Sequence, residues 1–399
     1  MHGKNHKMNN ILYVSENTQS GSHVFDLSSG IEQNSDFYAL IDYTEMYKTK
    51  GKIGFESHIK KLILNNIVDT IIIGIGAGMI IDIFFIKELS ENYSVKIIIS
   101  FSDSEHLFEG IDRYYAQTAD LVWVFNPSLE KIFNIYNINT FSNQGFDTYR
   151  YSKKVMKKTI DVSFIGGINR GNREEYIDFL RKNGIEVELA GFGTKKGLIT
   201  TKEKNQIVYQ SKINLNFTGV LSNDKNIFKR IKQPKGRPQE LALLGGFVLS
   251  ENASGLGDIF EIEEEIAVFH SKEELLEKIK YYLQNDEIRE SMAVAGYKKA
   301  LNSYETVSVV KELLCKLESV GNSNKTYYVD SQFASLFTSA RFYYLTISLL
   351  RGNFKSVVKE IRTIKKFKNM HLSNFYYDIP RAIYHYFKDT YSKRKVGFD

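Results

Sequence analysis

Lys235-Gly236-Arg237-Pro238-Gln239-Glu240-Leu241-Ala242-Leu243-Leu244-Gly245-Gly246 decides how this chain is read. Two cations and a glycine stand just before a carboxylate and a short apolar run, and the run ends on two glycines. If the run is helical, its N-terminus carries Lys235 and Arg237. That combination suits a diphosphate, because the helix dipole and charge-assisted hydrogen bonds act in the same direction. Glu240 is then placed to accept hydrogen bonds from ribose hydroxyls. Taken alone, the cluster reads equally well as a solvated loop.

The flanking sequence supplies the frame. Residues 161–165 read as a strand ending in Gly166-Gly167, and 173–183 as a helix closed by Gly184 at its C′ position. Further strands fall at 187–190, 213–217, 246–250 and 267–269, and a loop passes through Gly191 and Gly193. Ser271 with Glu274 three residues on is a capping-box pattern. Before residue 150, apolar strands are expected at 11–15, 70–75, 95–101 and 121–125. Helical patterns at 58–65 and 81–91 separate them. Strands alternating with helices imply parallel sheets covered by helices. The fold class expected is α/β, with two Rossmann-like domains facing a cleft and a C-terminal helical extension. Residues 1–150 form the first domain, 143–158 contain the linker, and 155–300 form the second. Residues 301–399 comprise a crossover helix over 306–319 and a basic helical extension.

Bulk properties agree with two enzyme-like bodies. The chain has 399 residues, more than one ordinary core requires, and 43% are apolar. Four prolines and no low-complexity tract argue against long disorder. The one cysteine, Cys315, has no partner for an internal disulfide, which fits a reducing compartment. No secretory leader is read at the N-terminus, so a cytoplasmic location is expected. The net charge of +6 is unevenly spread. Residues 341–399 hold 13 Lys and Arg against 4 Asp and Glu, a balance of +9, so the remainder carries 6 − 9 = −3.

The stretch 235–260 resembles the CgeB-like (spore maturation protein-like) glycosyltransferases, a GT-B family, and the resemblance extends over about residues 65–318. The matching features are Lys235 to Ala242, the small-residue strand 246–250, the loop Ser254-Gly255-Leu256-Gly257-Asp258, and the amphipathic pair over 271–304. Asn214-Leu215-Asn216-Phe217 and the 161–167 segment are similar too. The resemblance implies transfer of a sugar from a nucleotide-diphosphate donor, UDP-linked and bound by residues 155–300, to a hydroxyl of a protein or glycan bound by residues 1–150. It implies no cofactor beyond that donor and no metal. Carried over residue by residue, Lys235, Arg237 and Glu240 bind the donor. Gly166 and Gly167 let backbone approach it, and Gly255 and Gly257 lie near the sugar. Arg173 is a further phosphate cation or, alternatively, a surface helix charge. The chain departs from the pattern at Lys232, where many GT-B transferases carry a second glutamate, and at Gln239, where an aromatic is common.

Other motifs carry less. Gly74-Ile75-Gly76-Ala77-Gly78 has Met79 at the third glycine position of the dinucleotide fingerprint, so a tight strand-to-helix turn is the better reading. The apolar run 71–86 is broken by three glycines and Asp82 and is too short to span a membrane. Ser102-Asp103-Ser104-Glu105-His106 follows a strand, where α/β ligands bind. Asp103, Glu105 and His106 are therefore candidate bases for an acceptor hydroxyl, and His23 is a further candidate. The competing reading is a helix cap at Ser102 or Asp103 with Glu105 in the first turn. No Asp-x-Asp occurs, which fits chemistry in which protein cations hold the leaving diphosphate. In 355–368, Lys355, Lys359, Arg362, Lys365, Lys366 and Lys368 face the single acid Glu360. The segment reads as a helix lying on an anionic membrane, at the inner face, or as a packed helix with a solvated side. Nucleic acid is not expected as a partner, because no recognised module accompanies the charge. The rival functions are a nucleotide-sugar epimerase and a non-catalytic nucleotide-binding scaffold.

Overall fold

The computed structural model describes residues 9–16, 18, 22–102, 104–169, 171–219, 232–320, 328–366 and 378–387, without the side chain of His106. The elements of the first half are β1 (Asn10–Ser15), α1 (His23–Gln33), β2 (Phe37–Asp42), α2 (Tyr43–Leu64), β3 (Thr70–Gly74), α3 (Ile83–Asn92) and β4 (Lys96–Phe101). There follow α4 (Ser104–Leu107), a π-helical turn (Phe108–Asp112), α5 (Arg113–Ala116), β5 (Leu121–Val124), α6 (Pro127–Ile135) and β6 (Thr140–Ser142). The second half contains β7 (Ile160–Ile165), α7 (Arg173–Lys182), β8 (Val187–Ala190), α8 (Thr201–Gln210), β9 (Ser211–Asn216), α9 (Arg237–Leu243) and β10 (Val248–Glu251). It continues through α10 (Leu256–Ile259), β11 (Ala267–Phe269), α11 (Lys272–Gln284), α12 (Asp286–Ser303), α13 (Thr306–Ser319), α14 (Ser331–Leu350) and α15 (Phe354–Ile364).

By spatial proximity the described residues divide into two compact units. One takes in those within 1–19, 35–123 and 317–399, and the other those within 20–34 and 124–316. The two sheets have the strand orders β2-β1-β3-β4-β5-β6 and β11-β10-β9-β7-β8.

In the first unit the pairs β1–β2, β1–β3 and β3–β4 are all parallel. A parallel sheet covered on both faces needs uninterrupted apolar strands rather than alternating ones. Ile71, Ile72, Ile73, Ile97, Ile98 and Ile99 meet that need, each at most 2% exposed. The sequence reading passes over β2, an edge strand with a half-exposed pattern. The helix expected at 58–65 is only the end of α2, which bends at Gly51 (φ 66°, ψ 179°). Gly51 tolerates that conformation, and a Cβ there would stand 2.0 Å from the Asn353 amide.

The C-terminal helices α14 and α15 pack within this unit. Lys52 Nζ lies 2.7 Å from Asp82 and 3.3 Å from Glu360. The Thr363 hydroxyl donates to Asp82 over 3.1 Å, and the fully buried Arg341 lies 3.6 Å from Glu360. Two cations thus face two carboxylates away from water, fixing α15 and α14 against α2. Burial pushes the Asp82 carboxyl up, but Lys52 and Arg341 outweigh it and hold it below the usual range.

In the second unit all strand pairs are parallel. One face packs Val162, Ile213 and Leu249 against Ile177, Leu180, Leu275 and Ile279 of α7 and α11. The other packs Val248 and Val268 against Val208, Leu241, Leu243 and Ala300. Ser271 caps α11 as expected, its hydroxyl accepting from the Glu274 N–H over 3.1 Å. The Glu274 carboxylate takes the N–H of His270 instead of closing the box on Ser271.

Removing one partner from a buried ion cluster strands the others, which costs about 3–5 kcal/mol. Lys52→Ala is expected to lower stability by that order in urea unfolding, while the exposed Lys365→Ala stays within about 0.5 kcal/mol. Asp82 contributes stability above the ordinary carboxylate range, and that contribution is lost as pH falls through its depressed pKa. Equal midpoints for Lys52→Ala and the native chain would remove this cluster from the stabilising set.

Candidate functional site

In the second sheet β7 has β8 on one side and β9 on the other. The chain leaves β7 in one direction and returns to pair on its opposite side. At such a switch point the loops diverge and open a crevice beyond the carboxyl ends of the strands. A cavity of 450 Å³ lies there. Its floor is backbone: Ile165, Gly166 and Gly167 after β7, Gly191 after β8, and Asn216 and Phe217 where β9 ends. The Gly166 N–H donates to the Ala190 carbonyl over 2.8 Å. Gly191 takes φ +122°, and a Cβ on it would sit 2.5 Å from the Gly166 carbonyl oxygen. The two loops touch only because a side chain is missing at that point.

Polar residues in the buried β9 explain the Asn214-Leu215-Asn216-Phe217 signature. Asn214 binds Ser163 (3.2 Å) and the Phe247 carbonyl (3.2 Å), and Asn216 donates to Ser250 (2.8 Å). Strand cross-linking therefore accounts for both amides.

The cavity walls are cationic. Arg150, Arg173, Lys204, Lys235 and Arg237 line it, and among the described residues no Asp or Glu does. Of the eight donor residues expected from the sequence, Gly166, Gly167, Arg173, Lys235 and Arg237 reach the lining. Glu240 sits behind it, buried, paired with Lys204 and 2.8 Å from Arg237. Burial raises its carboxyl, but Arg237 and Lys204 outweigh that and hold it below the usual range. Lys235 adopts φ +49°, a left-handed conformation that a non-glycine residue rarely takes. Gly255 and Gly257 do not line the cavity. Gly255 packs against Asn126, whose side chain caps α6.

Arg173 is neither a surface charge nor a loose cation. It is buried, donating to the carbonyls of Gly167 (2.8 Å) and Gly219 (3.0 Å). It ties the loop after β7 to the segment after β9. Lys232 pairs with Glu251 (3.0 Å), which also accepts from the Thr218 N–H (3.0 Å). The position that departs from the family pattern therefore holds an ion pair.

Two lining cations were not singled out from the sequence. Lys204 lies on α8, which Thr200 and Glu203 open with a complete capping box. That box, following a strand and a glycine loop, is the signal that marks the helix start. Arg150 falls in the segment read as linker. It bonds Asp26 (2.6 Å) and the Thr201 hydroxyl (3.4 Å), and the Tyr151 hydroxyl bonds Asp26 over 3.1 Å. Burial pushes the Asp26 carboxyl up to about 6 against the pull of Arg150.

Among the candidate bases, Asp103 and the His106 side chain lie outside the described residues. Glu105 occupies the first turn of α4 in the first unit. His23 belongs to the unit that holds the cavity. Its Nδ1 lies 3.3 Å from the Gln144 amide, and its ring meets Phe125 edge-on at 4.6 Å. The Gln144 amide in turn fills the space beside Gly236, where a Cβ would stand 2.4 Å from Nε2. His23 Nε2 is buried without a hydrogen-bond partner among the described residues. Burial lowers the imidazole to about 4, so it is neutral at pH 7. Among the described residues no group of three or more His, Cys, Asp or Glu side chains is placed to hold a metal ion.

Known proteins share this fold. Residues 173–315 match the family model described as glycosyl transferase-like. HepE of Anabaena, solved with UDP, superposes with a TM-score of 0.57 at 11% identity, covering 78% of this chain and 100% of that one. Sucrose-phosphate synthase of Thermosynechococcus elongatus gives 0.56 at 10% identity, covering 78% and 100%. A glycosyltransferase from Rickettsia africae gives 0.53 at 12%, covering 79% and 100%. The search of curated proteins finds no match. The chain has the GT-B fold, an α/β architecture of two sheets with a helical C-terminal region. Its glycosyltransferase-like segment forms most of the second sheet.

A native imidazole at about 4, against about 6.5 in an unfolded chain, makes this site contribute stability above pH 6.5. That contribution is lost as pH falls toward 4. Carbon-13 titration of His23 is expected to give a midpoint near 4. A midpoint near 6.5 would show the ring to be solvated and the environment described here to be wrong.

Proposed function

We propose that this chain transfers a sugar from a UDP-linked donor to a hydroxyl of a protein or glycan acceptor. The observation that carries the reading is a cavity at the switch point of the second sheet that, among the described residues, is lined by five cations and no acid. A nucleoside diphosphate offers the negative charge such a wall lacks. Cations held in place before the reaction stabilise charge as it develops on the leaving diphosphate. Solved neighbours agree in chemistry: HepE has been crystallised with UDP, with UDP and glucose, and with UDP-glucose.

In this reading Lys235, Arg237 and Lys204 meet the diphosphate, and the Gly166 and Gly167 backbone lies along the donor. Arg173 supports the loop as much as the charge. Glu240, although paired with Lys204 and Arg237, keeps lone pairs for ribose hydroxyls. Gly255 and Gly257 are assigned to the sugar side by family resemblance alone. His23 is the base best supported by geometry: it is neutral, its Nε2 is unengaged among the described residues, and Gln144 links it to the Gly236 loop. Asp103, Glu105 and His106 are the alternatives in the sequence after β4. The finer assignment to the CgeB-like group rests on residues 235–260.

The protein is assigned to the cytoplasm, in contact with anionic membrane. No described helix is long and apolar enough to cross a membrane. On α15, Phe354, Val358 and Ile361 are 69%, 48% and 39% exposed, on a face adjoining that of the buried Val357, Glu360 and Ile364. Lys355, Arg362 and Lys365 flank them, the composition of a helix that rests on anionic lipid.

Arg237→Ala and Lys204→Ala should each weaken UDP binding by about ten- to hundredfold in calorimetry, the worth of a hydrogen bond to a charged group. Native affinity in both variants would sink the donor assignment. UDP release only in the presence of acceptor separates a transferase from an epimerase, and no release with any acceptor indicates a scaffold. Cosedimentation with phosphatidylserine vesicles, but not with phosphatidylcholine, is expected for the native chain and reduced for Phe354→Ser/Ile361→Ser. Equal recovery on both lipids would remove the membrane contact.

A further inference from the structure

A second cavity, of 320 Å³, lies wholly within the first unit. One wall is the start of α2, with Thr44, Tyr47, Lys48 and Thr49 ahead of the bend at Gly51. The opposite wall comes from the C-terminal helices: Tyr343, Tyr344, Ser348 and Arg351, with Asn353 and His385 beside them. The bend at Gly51 admits the Asn353 side chain, and with it the start of α15. The tail thus builds half of a pocket that the strands and helices of the sheet do not enclose alone.

Its chemistry is one-sided. Lys48, Arg351 and His385 line it, and among the described residues no Asp or Glu does. Among the described residues neither Lys48 nor Arg351 forms an ion pair. Near the pocket the buried Asp82 and Glu360 are matched by Lys52 and Arg341, and the buried Glu56 by Lys359. Three tyrosines supply flat apolar faces, with the rings of Tyr343 and Tyr344 set edge-on at 5.1 Å and that of Tyr47 at 6.4 Å from Tyr344. The Tyr344 hydroxyl donates to the Gly78 carbonyl over 2.9 Å, and Tyr343 bonds His385 over 2.9 Å. The Tyr47 hydroxyl is buried and has no partner among the described residues. Burial pushes its pKa well above the ordinary value, so it stays a neutral donor. A buried polar group without a partner is costly, and a ligand that engages it removes the cost.

We propose that this cavity binds a saccharide bearing a carboxylate or phosphate. Cations select the charge, the hydroxyls of Tyr47, Thr44, Thr49 and Ser348 meet ring hydroxyls, and the tyrosine faces stack against the C–H face of the sugar. A free inorganic anion would leave the aromatic and hydroxyl walls unused. A neutral sugar would leave Lys48 and Arg351 unmatched. On the transferase reading the ligand belongs to the acceptor glycan, a clause that rests on that reading, whereas the binding itself does not.

The test is ligand-observed NMR on the full chain without nucleotide, at low ionic strength, where charged contacts are least screened. The probes are glucuronate, glucose 6-phosphate, glucose and inorganic phosphate. Glucuronate or glucose 6-phosphate should bind at least about tenfold tighter than glucose and than phosphate, the worth of one charge-assisted hydrogen bond. The response to each charged sugar also separates a carboxylate from a phosphate ligand. Lys48→Gln/Arg351→Gln should bring the charged sugars to the level of glucose, with an unchanged circular dichroism spectrum and melting temperature. Tyr47→Phe, which removes only the hydroxyl, should weaken all sugars and leave phosphate unaffected. Equal binding of glucose and the charged sugars, phosphate binding as tightly as glucose 6-phosphate, or a double variant that binds like the native chain would each overturn the proposal. UDP affinity of the same variants is read separately: its absence would remove the donor reading and leave this one standing.

Discussion

Parallel strand pairing is the constraint on which the rest of this molecule depends. A parallel neighbour cannot be reached by a tight turn, so the chain crosses a face of the sheet, usually as a helix. Both faces are then covered, and the strands must be apolar throughout. Every loop that follows a strand emerges at the same edge. In the second unit this brings Gly166, Gly191 and Asn216 together although they lie on three different strands' ends. In the first unit it sets the start of α2, after β2, near Ile80 in the segment after β3, and the tail closes over them.

Charge balance distinguishes the buried clusters from the cavities. Lys52, Arg341, Asp82 and Glu360 are two against two and enclosed, an arrangement that holds helices in place. Glu240 takes Lys204 and Arg237 and Asp26 takes Arg150, yet among the described residues the cavity wall itself shows cations and no acid. An enclosed balance serves packing, whereas an open excess calls for a counter-charge from outside. Arg173 shows why residue type alone does not decide: within one cavity wall, its guanidinium is spent on the carbonyls of Gly167 and Gly219.

Much of the fold was legible because its signals are local. The isoleucine runs at β3 and β4, the glycine pair after β7, the cap at Ser271 and the cation pair ahead of α9 each depend on residues a few positions apart. The edge strand β2 escaped notice because one side of it is half-exposed and carries no uninterrupted apolar run. Arg150 looked like linker because its partners, Asp26 and Thr201, lie 124 and 51 residues away. His23 stood as one candidate among several until Gln144, 121 residues on, joined it to the Gly236 loop.

The sequence by itself determined the class of the fold, the order of most strands, and five residues of the candidate donor cavity: Gly166, Gly167, Arg173, Lys235 and Arg237. The fold class and strand order follow from hydrophobic periodicity and turn chemistry, which neighbouring residues set; the five residues come from the cation and glycine run and from the family resemblance. Only the tertiary structure decided that Lys204 and Arg150 join that wall, that Glu240 is already paired, and that the basic tail buries Glu360 against Lys52, 308 residues away. Such contacts are chosen by how whole elements pack, and no spacing along the chain records them.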